Sequence, residues 1–273
     1  MTARGFIGAL DFAEYCALPG HNFSTLKAAL ISPAAYRAAC DLPRADSPAF
    51  ALGRACHTAI LEPDRIALDI AVLPPGIDRR TKAGKEEHAA FVAASKGRTI
   101  LDADDHALVL AMRDAAWGHS AARELLTGAQ TEQSAQWLDE ESGLVCKLRA
   151  DGIADGRLLD VKTIDSLARL RWAVRDYRYL MQAAFYGDGL QACGIGITQR
   201  FILAIEKKPP YDVGVFRIGE NEISQGRAEY REALSVVAEC TRSGAWPGAY
   251  PGVTEIAAVL YPDDVGGGFE IVT

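Results

Sequence analysis

Residues 130–165 read QTEQSAQWLDEESGLVCKLRADGIADGRLLDVKTID, and this stretch decides the fold class. Short alternating segments are broken by Glu141-Ser142-Gly143 and Asp155-Gly156, which predicts three strands joined by tight turns. Side chains on a strand alternate between faces, so Cys146, Leu148 and Ala150 point one way and Lys147, Arg149 and Asp151 the other. In RLLDVKT, Leu159 and Val161 share one face while Asp160 and Lys162 share the opposite one. A turn of a few residues makes the two strands antiparallel neighbours, which lets two carboxylates and one lysine converge on one sheet face.

Paired carboxylates repel each other unless a cation lies between them. Oxygen ligands of this kind suit Mg²⁺ or Mn²⁺. A lysine beside such an ion can orient or deprotonate water, or stabilise charge on a phosphoryl group. The same three residues also fit a solvated hairpin with ordinary cross-strand ion pairs. Farther along, Gln182 and Tyr186 in YRYLMQAAFYGDGL are four apart and occupy one face of an expected helix; a half-buried helix face explains them equally. His57 has only Arg54 as a polar neighbour on its expected helix, and taken singly it suits a core histidine as well as a ligand.

Outward from the meander, the N-terminal half reads as helical. Ser24 is an expected N-cap for TLKAALI, Ser32-Pro33 opens PAAYRAACDL, and AFALGRACHTAILE ends before Pro63. The Pro- and Gly-rich stretch 63–83 predicts an exposed loop, followed by helices at about 84–96, 103–117 and 119–127. On the C-terminal side, helices are expected at about 166–175 and 178–193, strands near 198–206 and 211–217, and a helix at 220–242. The expectation is an α/β fold, with a central mixed sheet flanked by helices and a helical N-terminal half. No repeat or long linker divides the 273 residues, so 1–273 is expected to be a single domain, with 1–22 an N-terminal extension and 247–273 a C-terminal tail.

Composition narrows the class. Hydrophobic residues make up 49% and charged residues 24%, the balance of a globular chain, which excludes wholesale disorder. No apolar run approaches the ~20 residues of a membrane span, and MTARGFIGALDFAEYC lacks a basic-then-apolar signal, so no membrane association and a cytoplasmic location are expected. The net charge of −7 is unevenly spread. Residues 144–180 hold eight basic against five acidic side chains, and 205–273 hold six against eleven. A local field of this kind matters more to a polyanion than the total. The six cysteines are too widely spaced for a CxxC pair, so neither zinc nor an iron–sulfur cluster is expected, and they read as small buried hydrophobes.

The ordered set Gly53-x-x-x-His57, Asp151, Asp160-Val161-Lys162-Thr163 and Gln182-x-x-x-Tyr186 resembles the PD-(D/E)xK nuclease superfamily. More narrowly it is similar to the exonuclease VIII (RecE) C-terminal nuclease, with its RecB-like motif order. ALGRACHTAILEPD, RRTKAGKEEHAAF, GLVCKLRADGI, LLDVKT and DYRYLMQAAFYGDG carry the similarity over about residues 20–247. It departs from the pattern in three places: Ala150 replaces the lead-in proline, the second acid is Asp160 rather than Glu, and Arg54 stands where a small residue is common.

The resemblance implies that His57, Asp151 and Asp160, with the main-chain carbonyl of Val161, are metal ligands. Lys162 would be the catalytic lysine, and Gln182 and Tyr186 would brace the site and touch DNA. It implies a Mg²⁺-dependent exonuclease, with Mn²⁺ a substitute, acting processively 5′-to-3′ on double-stranded DNA with a free end. The 3′ overhangs would pass to a single-strand annealing protein of the RecT or Bet type, in phage-type recombination within a bacterial cell. Such enzymes tend to be ring-shaped oligomers, here a trimer or tetramer. Arg37, Arg54, Arg79, Arg80, Lys82, Lys147 and Arg149 are the basic groups considered for phosphate contacts, each of which also suits a solvated surface position. A structure-specific or restriction-type endonuclease could carry the same residues, and a non-catalytic DNA-binding module is a third reading.

Overall fold

The turn at Asp155-Gly156 adopts φ values of 48° and 74°, the pair of left-handed residues that a type I′ hairpin requires and that Asp-Gly accommodates. It joins β5 (Val145–Ala154) to β6 (Arg157–Ile164), with Ala154 opposite Arg157. Before it, β4 (Gln130–Leu138) pairs antiparallel with β5 along nearly its whole length. At the turn between β4 and β5, Ser142 donates from its N–H and its Oγ to Asp139 Oδ1, at 2.9 and 2.7 Å.

The computed structural model describes residues 5–42 and 47–253. Their main sheet has six strands in the order β1-β4-β5-β6-β7-β8, where β1 is Gly5–Ala9, β7 is Gln199–Glu206 and β8 is Val213–Arg217. Every neighbouring pair is antiparallel except β6 and β7, which makes the sheet mixed as expected. A parallel pair needs a crossover, and α9 (Leu170–Asp176) and α10 (Tyr179–Ala192) supply it. A short parallel pair, β2 (Ile70–Val72) with β3 (Thr99–Leu101), stands apart.

Apolar cores lie on both faces of the main sheet. On one, Ala135, Trp137, Cys146, Leu148 and Ala150 pack against Met181, Ala184 and Phe185 of α10 and Ile223, Tyr230 and Leu234 of α11 (Glu220–Ser243). Phe23 and Leu26 of the short α2 (Phe23–Leu26) and Tyr36 of α3 (Pro33–Asp41) complete this layer. On the other, Leu159, Val161, Leu203 and Ile205 pack against Ala55, Cys56, Ala59 and Ile60 of α4 (Pro48–Leu61) and Val109 and Met112 of α7 (Ala103–Gly118). Leu125 and Leu126 of α8 (Ser120–Leu126) join it. Thus α4 and α10 approach the meander from opposite sides, each carrying polar residues to its centre. No helix among the described residues is long and apolar enough to cross a membrane.

Helix α10 is clamped in place. A Cβ on Gly226 of α11 would stand 2.1 Å from the Leu180 carbonyl oxygen, so only glycine permits the contact between the two helices. Asp188 of α10 accepts from Arg227 at 2.6 and 2.9 Å and from the Tyr230 hydroxyl at 2.7 Å.

Four local expectations are corrected. Asn22, not Ser24, caps α2, because its Oδ1 accepts the Thr25 N–H at 3.1 Å and the helix begins at Phe23. The stretch 63–83 is not all loop; it holds α5 (Ile66–Asp69) and β2, whose Ile70 and Ala71 are buried, and α6 (Lys82–Ala94) starts at its end. Residues 5–22 are no mere extension, since β1 is an edge strand of the sheet and α1 (Phe12–Ala17) closes over β5 through Lys147. Of the six cysteines, Cys16 and Cys40 are exposed rather than buried; all six are free. Of the tail, Pro247 accepts from the Ala34 N–H at 3.0 Å and Trp246 stacks on Tyr36, while 254–273 lies outside the described residues.

Candidate active site

The β5–β6 ladder ends at Gly152 opposite Leu159, and beyond it the strands part. The two-residue period also breaks here, since Ala150 and, three residues on, Ile153 belong to the same core. Asp151 lies at this opening. Its Oδ2 accepts the Val161 N–H at 2.7 Å, a bond available only because the regular ladder has stopped. The expected convergence of Asp151, Asp160 and Lys162 on one sheet face therefore takes another form: Asp151 meets His57 of α4, while Asp160 and Lys162 meet Gln182 of α10.

From the α10 side, Gln182 clasps the second strand. Its Nε2 donates to Asp160 Oδ1 at 2.8 Å, and its Oε1 accepts from Lys162 Nζ at 3.2 Å. Lys162 Nζ also donates to Asp160 at 2.8 Å and lies 4.9 Å from the centre of the Tyr179 ring. Asp160, Lys162 and Gln182 therefore form one closed cluster. Burial opposes the charge on Lys162, but Asp160, Asp151 and the hydrogen bond outweigh it and hold its pKa above the ordinary lysine value. Tyr186, one turn beyond Gln182, sets its ring edge-on to Phe23, and burial raises its hydroxyl pKa well above the usual range.

From the α4 side, His57 places Nδ1 3.6 Å from Asp151 Oδ2. Ser47 caps that helix by accepting the Phe50 N–H, and burial of Ala55, Cys56, Ala59 and Ile60 fixes the rotation that turns His57 toward the sheet. Burial pushes the Asp151 carboxyl up to about 6; His57 and Lys162 pull against this, while Asp160 and Glu132 add to it.

Glu132 was not among the residues singled out from the sequence. Register places it opposite Asp151, between the pairs Thr131–Gly152 and Gln133–Ala150. Its φ of 54° is left-handed, a conformation that costs a non-glycine residue roughly 1–2 kcal/mol. That strain sits beside the acidic group it meets. Counting back from the Glu141–Gly143 turn would have paired it with Asp151; nothing in composition marks it. His57, Glu132 and Asp151 each offer a ligand atom within 4.8 Å of the others. Two carboxylates and an imidazole suit a divalent cation, and such an ion would offset the cost of burial that raises the Asp151 pKa. Asp160 lies outside that group of three, its Oδ1 taken by Lys162 and Gln182. Val161 touches the site through its N–H.

The basic candidates separate. Lys147 is buried, donating to the carbonyls of Tyr15, Cys16 and Leu18 at 3.1, 3.1 and 2.6 Å, which corrects its reading as a phosphate contact: its ammonium caps the C-terminal end of α1. Arg149 is likewise committed, to Glu132 and to the Leu10 carbonyl at 2.7 Å, and positions the acid rather than facing solvent. Arg37 pairs with Asp41 at 2.9 Å and lies over Trp246. Arg54, one turn before His57, is exposed, as are Arg79, Arg80 and Lys82; Arg80 pairs with Asp78 and Lys82 approaches Glu86 at 3.9 Å. Lys147→Met should destabilise the fold by about 1–3 kcal/mol, the cost of orphaned buried carbonyls, and leave the salt dependence of DNA binding unchanged. Urea denaturation and a salt titration check the two halves; unchanged stability with a shallower salt slope would return Lys147 to the phosphate-contacting set.

No curated protein matches the chain. A crystal structure described as a "putative exonuclease" from Eubacterium rectale matches with a TM-score of 0.60 at 14% identity, over 94% of this chain and 98% of that one, a likeness of fold. Residues 22–256 match the family described as "PDDEXK-like domain of unknown function (DUF3799)". The meander, the two helices that meet at its gap and the acidic-lysine cluster lie within that span, and the chain belongs to this PDDEXK-like family.

Proposed function

We propose that this protein is a metal-dependent DNA nuclease, and more narrowly an exodeoxyribonuclease that cuts phosphodiesters by direct attack of water. The observation that carries the reading is the meeting of His57, Glu132 and Asp151 within 4.8 Å beside the Asp160–Lys162–Gln182 cluster. His57, Glu132 and Asp151 would hold Mg²⁺ or Mn²⁺, with Asp160 and the Val161 carbonyl as the further ligands that the resemblance implies. A divalent ion supplies polarisation of the scissile phosphate and charge stabilisation at its oxygens. Lys162 then acts as the fixed cation beside that phosphate, directing water through a donor that Asp160 and Gln182 hold in place. Among the described residues, the hydrogen bonds and ligand groups of the cluster involve no serine, cysteine or threonine, which favours hydrolysis without a covalent intermediate.

The resemblance to exonuclease VIII supports 5′-to-3′ processive digestion of double-stranded ends, a ring-shaped oligomer and hand-over of 3′ overhangs to an annealing protein. A duplex labelled at either 5′ or 3′ end, with and without Mg²⁺, tests the activity and its direction. The expected result is Mg²⁺-dependent release of 5′ label as short products, with closed circular DNA untouched. Cutting of closed circles would support the endonuclease reading instead, and no Mg²⁺-dependent cutting of either would overturn the nuclease reading.

A further inference from the structure

The segment between α9 and α10 carries aromatic rings that the cluster around Lys162 does not account for. Tyr177 is 57% exposed, and its ring stacks on that of Tyr179, with centroids 5.8 Å apart and planes 22° from parallel. Tyr179 in turn lies under Lys162 Nζ at 4.9 Å. Residues two apart cannot face each other in a helix. They do so here because Arg178, between them, takes φ 58°, a left-handed kink that costs a non-glycine residue roughly 1–2 kcal/mol. The Arg178–Glu229 ion pair, at 3.2 Å, ties that kink to α11. The result is an unbroken line from the reacting lysine through two rings to solvent.

The surroundings are cationic. Lys27 Nζ lies 6.0 Å from the Tyr177 ring; Arg169 just before α9 and Arg171 and Arg175 on it are exposed, Arg175 paired with Asp176 at 2.9 Å. Arg171 lies 3.9 Å over the ring of Trp172, itself 38% exposed. Exposed rings with interleaved arginines fit a polyanion that offers flat π-faces, and stacking platforms beside basic grooves hold single strands in this way. A base inside a duplex has both faces covered, so the ring selects an unstacked one. The Tyr177-to-Lys162 path spans on the order of two or three nucleotides at the ~3.4 Å rise of a stacked strand.

We propose that Tyr177, braced by Tyr179, is a base-stacking platform that seats an unpaired DNA strand next to Lys162. This deepens the nuclease reading and rests on it. The test is fluorescence anisotropy in EDTA, which prevents hydrolysis, using a labelled oligothymidylate and an abasic deoxyribose-phosphate oligomer of equal length. The native protein should bind the thymidylate more tightly. Tyr177→Ala should weaken thymidylate binding about tenfold, leave abasic binding and the salt slope unchanged, and be rescued by Tyr177→Trp. Retention of the base preference in Tyr177→Ala, or an equal loss on both oligomers, would overturn the platform while leaving the nuclease reading intact. If the native protein binds neither oligomer, and the end-labelled duplex is not cut, both readings fall.

Discussion

Lys162→Arg is expected to lose DNA hydrolysis by orders of magnitude, almost as completely as Lys162→Ala. Charge alone does not explain the residue's surroundings. Nζ meets Asp160, the Gln182 Oε1 and the Tyr179 ring from different directions, which suits a compact ammonium with three donors. Guanidinium is larger and planar, so it cannot take the same position between a side-chain amide and an aromatic face without displacing one of them. Binding should survive, because the proposed base and phosphate contacts do not run through this group. Single-turnover cleavage with pre-bound DNA isolates the chemical step. An arginine variant that cleaves at close to the native rate would show that Lys162 serves only as a counter-charge to Asp160.

Asp151→Asn should change stability and activity in opposite directions. A carboxyl whose pKa is raised on folding holds its proton more tightly in the native state than in the unfolded one. Its penalty is absent below the unfolded value near 4, grows as pH rises through about 6, and is fully present at neutral pH. Asparagine removes that penalty and keeps an oxygen for the Val161 N–H. In EDTA at neutral pH the variant should therefore be more stable than the native protein by about 1–3 kcal/mol, or several degrees in Tm. Excess Mn²⁺ should raise the native Tm by mass action and leave the variant's nearly unmoved, while the variant's hydrolysis falls by orders of magnitude. Scanning calorimetry at neutral pH, with EDTA or Mn²⁺, reads both effects. A variant that melts below the native protein in EDTA and responds equally to Mn²⁺ would remove Asp151 from the metal group.

Much of the architecture was legible because local chemistry and tertiary packing agree. Asp155-Gly156 can supply two left-handed residues, so the β5–β6 hairpin follows from two letters. Ser32-Pro33 and Pro63 delimit helices because proline suits a first turn and resists a last one. Gln182 and Tyr186, four apart on α10, follow from helical period. By contrast, Ile70–Val72 hides in a Pro- and Gly-rich stretch, since a three-residue strand carries too little pattern to register. Lys147 and Arg149 misled for a different reason. Alternation placed them beside Asp151, but alternation is silent on what covers a face, and α1 and Glu132 cover this one.

The sequence by itself determined the strand meander and the helix that carries Gln182 and Tyr186, because periodicity and turn chemistry act over a few residues; Asp151, Asp160, Lys162 and Gln182 were singled out by the family resemblance laid over that pattern. Only the tertiary structure decided that His57 arrives from the opposite layer to join Glu132 and Asp151, and that Tyr177 stacks on Tyr179. Those arrangements depend on where two strands part, on how a helix is rotated against its core and on one left-handed residue. Each is set by packing across the sheet, which no local stretch of sequence encodes.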